Sequence, residues 1–308
     1  MPKEFDAIMM IGYGGPEKKD DIMPFLRNVS KGRPIPEERL AEVAHHYEIF
    51  DGKSPLNEYT FKQGNKLEKF LSEKGYNLPV YVGMRNWRPF INDSLSEIND
   101  KGYKNVIGLI MAAHQSDASW ERYMRDVDEG CEELNIDLHF EYVRPIFDHP
   151  LFIEGSADKV KEKLNEIPKE KLDTTMLIFT AHSIPVRMAE NSPYVEQFET
   201  SSKLVAESTG HPHWMTCYQS RSGSPRDPWL EPDICDVIPD LVQRGITDIV
   251  VQAIGFVCDH IEVLYDIGIE AQEVSDEVGI KLHRASTVND DDKFIRALED
   301  EVLKLINS

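Results

Sequence analysis

The chain has 308 residues, enough for two domains of ordinary size, each with its own core. Its 34 basic and 55 acidic residues leave a formal net charge of −21, which argues against nucleic acid or an anionic membrane surface as the main partner. The opening MPKEFDAIMMIGYGG is not a secretory signal, and no apolar run approaches the roughly 18–20 residues of a membrane helix.

Apolar strand-like runs alternate with amphipathic helical stretches along the chain. Strands are predicted at FDAIMMIGY, LPVYVGM, NVIGLIMAA and LHFEYVRPI in the first half. The second half carries TTMLIFTA, HWMTCYQ, DIVVQAIGF and KLHRAST. Predicted helices include PEERLAEVAHHYEIF, YTFKQGNKLEKFLSEKG, YVEQFETSSKLVAESTG and the last segment, DDKFIRALEDEVLKLINS. Strands separated by helices imply parallel sheets with right-handed crossovers. The expected fold class is therefore α/β, with two doubly wound domains around four strands each. The first spans residues 1–147 and the second 148–288, joined through the polar helical stretch DHPLFIEGSADKVKEKLNEIPKEKLD. Residues 289–308 form a C-terminal helix expected to pack back on the first domain. KGYKNVIGLIMAAH and RGITDIVVQAIGF echo one another at the third strand of each half. The four cysteines, Cys131, Cys217, Cys235 and Cys258, form no CxxC pair, so reduced thiols in a cytoplasmic protein are expected.

Ligands of such sheets sit beyond the carboxyl ends of strands and in the cleft between domains. After the first strand comes GYGGP, which lacks the GxGxxG spacing and reads as a tight turn presenting Tyr13. His114 follows the third strand, His182 the fifth, and Asp259, His260 and Glu262 the seventh. Histidine exchanges protons near neutral pH, so histidines at equivalent strand ends are candidates for acid–base work. If residues 259–273 form one helix, Glu262, Asp266 and Glu270 fall four apart on one face. An open row of carboxylate oxygens with a histidine nearby suits a divalent cation in transit better than a closed structural site. Lys31, Arg33, Arg85 and Arg88 are candidate clamps for ligand carboxylates, and CYQSRSGSPRDPWLEPDI, with Arg221, Arg226 and Trp229, reads as a loop.

FTAHSIP, YQSRSGSPRDPWLEPD and GFVCDHIEVLYDI, in this order, resemble the motifs of ferrochelatases, as do GYGGPE, FDGKSPLN and VGMRNWRPF. The likeness covers nearly the whole chain. It implies insertion of ferrous iron into a porphyrin by two Rossmann-like domains with a cleft between them. By the resemblance, His182 and Glu262 are the active-site pair, Asp266 and Glu270 continue a metal-delivery line, and Tyr13 faces the other side of the macrocycle. Ser54 and Tyr123 fall at positions resembling substrate-contacting ones, and Lys31 and Arg33 are taken as substrate-binding cations. NVSKGRPIPEERL and HYEIFDGKSPLN resemble the coproporphyrin-using branch, so coproporphyrin III is the expected substrate and coproheme the product. Protoporphyrin IX giving heme, a cobalt or nickel chelatase and a non-catalytic porphyrin carrier are the alternatives. No permanent cofactor is expected, and no iron–sulfur cluster, because no cysteine follows Cys258. No nucleic acid or integral membrane partner is expected, and a monomer would suffice. Position 30 is Ser and position 46 is His, where some relatives carry Arg.

Overall fold

A computed structural model describes residues 3–32, 35–222 and 227–308, folded into two compact units. The first unit comprises Met1–Met111, Ala118–Pro145 and Ile295–Ser308; the second comprises Ala112–Asp117 and Ile146–Phe294. The division near 145/146 lies close to the expected 147/148. The transfer of Ala112–Asp117 to the second unit departs from the expected boundaries.

In the first unit, β1 (Ala7–Gly12), β2 (Val80–Met84), β3 (Asn105–Ile110) and β4 (His139–Tyr142) form a parallel sheet in the order β2-β1-β3-β4. Its helices are α1 (Ile22–Val29), α2 (Glu37–Glu48), α3 (Leu56–Glu73), α4 (Ile91–Asp100) and α5 (Arg122–Leu134). Every residue of β1 is buried, the pattern of a central parallel strand covered on both faces.

The second unit repeats the arrangement with β5 (Thr175–His182), β6 (Trp214–Gln219), β7 (Asp248–Gln252) and β8 (Lys281–Ala285), all parallel in the order β6-β5-β7-β8. Its helices are α6 (Pro150–Leu164), α7 (Val186–Glu190), α8 (Tyr194–Thr209), α9 (Ile234–Gln243), α10 (Ile261–Tyr265) and α11 (Ala271–Val278). The stretch expected as a polar connection is an integral part of this unit. It contains α6, whose residues Phe152, Ile153, Ala157 and Val160 are buried at helical spacing. One side of the sheet, with Met176, Ile178, Cys217, Ile249 and Val251, packs against α9 and the Val263–Ala271 stripe. Strand order reverses between β5 and β7, so residues just beyond these two strands line the switch point of the sheet.

Helix α9 begins at Asp233, whose Oδ1 accepts a hydrogen bond of 2.9 Å from the Cys235 amide. Asp233→Ala should therefore lower the urea midpoint by the equivalent of about 1 kcal/mol, read by far-ultraviolet circular dichroism. A midpoint unchanged from the parent would contradict the cap.

The last helix, α12 (Asp292–Ile306), enters the first unit from residue 295. Arg296 stacks 3.6 Å from the Phe70 ring centre and donates to Glu73 at 3.2 Å. Buried Glu299 takes Arg296 at 2.9 Å and Lys74 at 3.2 Å. Glu301 receives Arg144 through two contacts of 3.1 Å, and the Lys3 amide donates to the Ile306 carbonyl.

Candidate active site

Strand β5 ends on His182, which is partly exposed. Its Nδ1 lies 2.5 Å from the Ser183 carbonyl oxygen, an acceptor, so Nδ1 carries the proton of the neutral ring and Nε2 keeps the lone pair. The hydroxyl of buried Tyr194 donates to the His182 carbonyl at 2.9 Å and fixes the strand end. Beyond β7 the chain crosses close over β5. The Gly255 amide donates to the Thr180 carbonyl at 3.0 Å, and a Cβ at position 255 would sit 2.6 Å from the Ala181 Cα. Glycine is required by this approach, which brings the start of α10 to the end of β5.

There Glu262 Oε2 lies 4.0 Å from His182 Nε2 and 3.6 Å from His260 Nε2. His260 is held against the Phe256 ring, 4.6 Å between centres, with Nδ1 3.3 Å from the Cys258 carbonyl oxygen. Burial pushes the Glu262 carboxyl up, but the hydrogen bonding and charge of His260, then the charge of His182, outweigh it and leave it at about 2. Glu262 is thus an anion set beside two imidazoles, ready to stabilise whichever takes a proton.

The expected helix from residue 259 forms as one continuous run, Ile261–Val278, that starts two residues later and is not regular α throughout. His260 is extended, α10 starts at Ile261, and Asp266–Glu270 make one π-helical turn before α11. In a regular α-helix each step of four overshoots a full turn by about 40°. The wider π turn offsets that drift along Glu262, Asp266 and Glu270. Exposure rises along the row, from partly buried Glu262 and Asp266 to exposed Glu270. Asp266 Oδ2 accepts from Ser220 Oγ and, at 3.3 Å, from Gln219 Nε2. Burial pushes this carboxyl up to about 7, against the pull of the Ser220 and Gln219 hydrogen bonds and with the Glu262 and Glu270 charges adding to it. Ser220 holds a left-handed backbone with φ of 60°, a conformation uncommon outside glycine.

Two strand-end residues fall outside this group. Asp259 is buried, receiving Arg284 at 3.1 Å and Asn289 at 3.1 Å, so it pins the loop and offers nothing to a cation. His114 is also buried, with Nε2 2.9 Å from Ser201 Oγ, and burial lowers its pKa to about 3. Both are structural.

In the first unit, GYGGP is a tight turn after β1. Asn57 binds Gly15 through both its amide and its carbonyl, each at 2.9 Å, so that donor is spent within the protein. Gly14 has φ of +82° and no room for a Cβ against Met84 and Trp87. Tyr13 is presented partly exposed, its ring edge-on to Phe25 at 6.2 Å. Ser54 is only 3% exposed. Its amide donates to the Pro16 carbonyl and its hydroxyl accepts from the Leu56 amide, so it braces the turn. Tyr123 is buried on α5. Lys31 and Arg88 are exposed. Arg85, expected as a free clamp, is held by Asp126 at 3.0 Å, which also takes Arg122 at 2.7 Å. Arg33 and Arg226 lie outside the described residues.

Sequence reasoning did not single out Gln219 and Ser220, although YQS sits at the end of a predicted strand, the place where such residues are found. His260 is among the strand-end candidates of the sequence, but its contact with Glu262 is not legible there.

Several solved structures share the fold. SirB from Bacillus subtilis with Fe3+ superposes with a TM-score of 0.58 at 12% identity, covering 98% of this chain and 96% of that one. CbiX, described as the terminal enzyme for biosynthesis of siroheme in denitrifying bacteria, gives 0.56 at 11% identity, with 97% and 98% covered. The coproporphyrin III ferrochelatase of Streptomyces coelicolor is 39% identical over 97% of this chain and 85% of its own length. That of Mycolicibacterium smegmatis is 38% identical over 98% and 90%. The family model described as Ferrochelatase matches residues 5–305, and with nearly the whole length accounted for, the chain belongs to the ferrochelatase family.

Proposed function

We propose that the protein inserts ferrous iron into coproporphyrin III, giving coproheme. The observation that carries the reading is the group formed by His182, Glu262 and His260 at the strand switch point, continued by Asp266 and Glu270. A free-base porphyrin must lose two pyrrole N–H protons as one Fe2+ enters. His182 Nε2 is the base: it takes the two protons one at a time and gives each up to water, and Glu262 stabilises the imidazolium formed each time. Asp266 and Glu270 offer only oxygen atoms, which hold a divalent cation loosely enough to release it. Metal insertion then needs no resident cofactor and no iron–sulfur cluster.

The choice of porphyrin rests on relatives named for coproporphyrin III at 38–39% identity, and on exposed Lys31 and Arg88, which suit a ligand with four carboxylates. Tyr13 is proposed as an iron ligand in the product. No helix among the described residues is long and apolar enough to cross a membrane.

The test compares kcat/KM for coproporphyrin III and protoporphyrin IX in detergent-free, anaerobic buffer with Fe2+, Co2+ or no metal. A preference for coproporphyrin of about tenfold or more with Fe2+ is expected. Preference for protoporphyrin would overturn the substrate, and binding without metal-dependent turnover would indicate a carrier. The absorption spectrum of bound product should change in Tyr13→Phe; an unchanged spectrum removes the iron-ligand role.

A further inference from the structure

We infer that Thr180 and Gln219 form a buried relay that orients Asp266 as a one-oxygen ligand for the incoming cation. This rests on the metal-handling role proposed for Asp266. Thr180 and His182 lie on one face of β5, and Gln219 is the register partner of His182 on β6. That face otherwise carries Met176, Ile178 and Cys217, all packed into the apolar core. Thr180 and Gln219 are both 0% exposed. A hydroxyl and an amide in such a place are costly unless each finds a partner.

Each does, and in one direction. The Thr180 hydroxyl donates to Gln219 Oε1 at 2.6 Å. With its oxygen so engaged, the amide turns its Nε2 toward Asp266 Oδ2, 3.3 Å away, and toward Ser220 Oγ at 3.4 Å. The opposite amide orientation would set Oε1 against the carboxylate, lone pair facing lone pair. Ser220, in its left-handed conformation, donates to the same Oδ2. Two donors thus converge on one oxygen of Asp266, and Oδ1 takes no hydrogen bond among the described residues. A carboxylate tied back by one oxygen cannot chelate through both, so it holds a cation by Oδ1 alone. Single-oxygen coordination fits a site that must receive iron and give it up. Thr180 and Gln219 are positioning residues: neither touches the metal, and both act through Asp266.

The experiment measures initial rates at varied Fe2+, and separately Co2+, under anaerobic conditions for Thr180→Val, Thr180→Ser, Gln219→Glu and Asp266→Asn. Thr180→Val keeps the shape and removes the orienting donor. It should raise the metal KM about fivefold, the worth of one hydrogen bond, with kcat at saturating metal and the porphyrin KM within twofold of the parent. Thr180→Ser, which restores the hydroxyl, should restore the parental metal KM. Gln219→Glu, which places acceptors against Asp266, should raise the metal KM at least as far as Thr180→Val. Equal values for Thr180→Val and Thr180→Ser, or a Thr180→Val defect confined to kcat or porphyrin KM, would overturn the relay while an Asp266→Asn effect on metal KM left the delivery row standing. An unchanged metal KM in Asp266→Asn would overturn both.

Discussion

His182→Ala lowers kcat for iron insertion by about 10³-fold, the usual weight of a positioned general base, in a protein that remains folded. The expectation follows from the placement of the ring. Its backbone carbonyl is held by Tyr194, its Nδ1 by the Ser183 carbonyl, and only Nε2 remains for a substrate proton. Because the side chain is partly exposed at a strand end, removing it opens no cavity in the core. The measurement is porphyrin fluorescence loss with Fe2+, alongside circular dichroism and thermal unfolding. Near-parental kcat in a well-folded variant would exclude His182 as the base. His260, 3.6 Å from the same carboxylate, would then be the residue to replace next.

Glu262→Gln should reduce kcat by about 10²-fold, because the change keeps the shape and deletes the charge that stabilises the imidazolium. At about 2, the Glu262 carboxyl is fully ionised throughout the neutral range, so the parent enzyme always presents this anion. Glu270→Gln is the contrast. Glu270 is exposed at the far end of the row, and its loss should raise the metal KM severalfold with little change in kcat. Equal kcat losses at Glu262 and Glu270, with no change in metal dependence, would contradict a graded path from solvent to base.

The sheets were legible because their strands are buried on both faces, and such strands are written as unbroken apolar runs. AIMMIG and DIVVQ admit little else. The histidine and carboxylates beyond β5 and β7 could be located from strand ends alone, and the motif resemblance gave them roles. What could not be read depends on contacts remote in sequence. Nothing near Gly255 shows that a Cβ would strike Ala181. The π turn leaves the four-residue spacing of its carboxylates unaltered, so the pattern looks like an ordinary helix. Arg85 reads as a free cation until α5 delivers Asp126 to it. Ser54 and Asp259 look like site residues because they adjoin motifs, yet their side chains serve the backbone of the loops that carry those motifs. In α6 the polar residues outnumber the buried stripe and hide it.

The last helix has a consequence for synthesis. Residues 146–294 are made between the first unit's sheet and the segment that completes that unit. At ribosomal rates this interval is roughly 8–30 s. Until it has passed, Phe70 lacks the guanidinium that covers its ring, and the contacts of Arg144 with Glu301 and of Lys74 with Glu299 are not yet made. The half of the protein translated first is therefore the last to be finished. A stop codon that removed only the final fifteen or so codons would leave every catalytic side chain encoded and the older half of the nascent polypeptide exposed to proteases and chaperones.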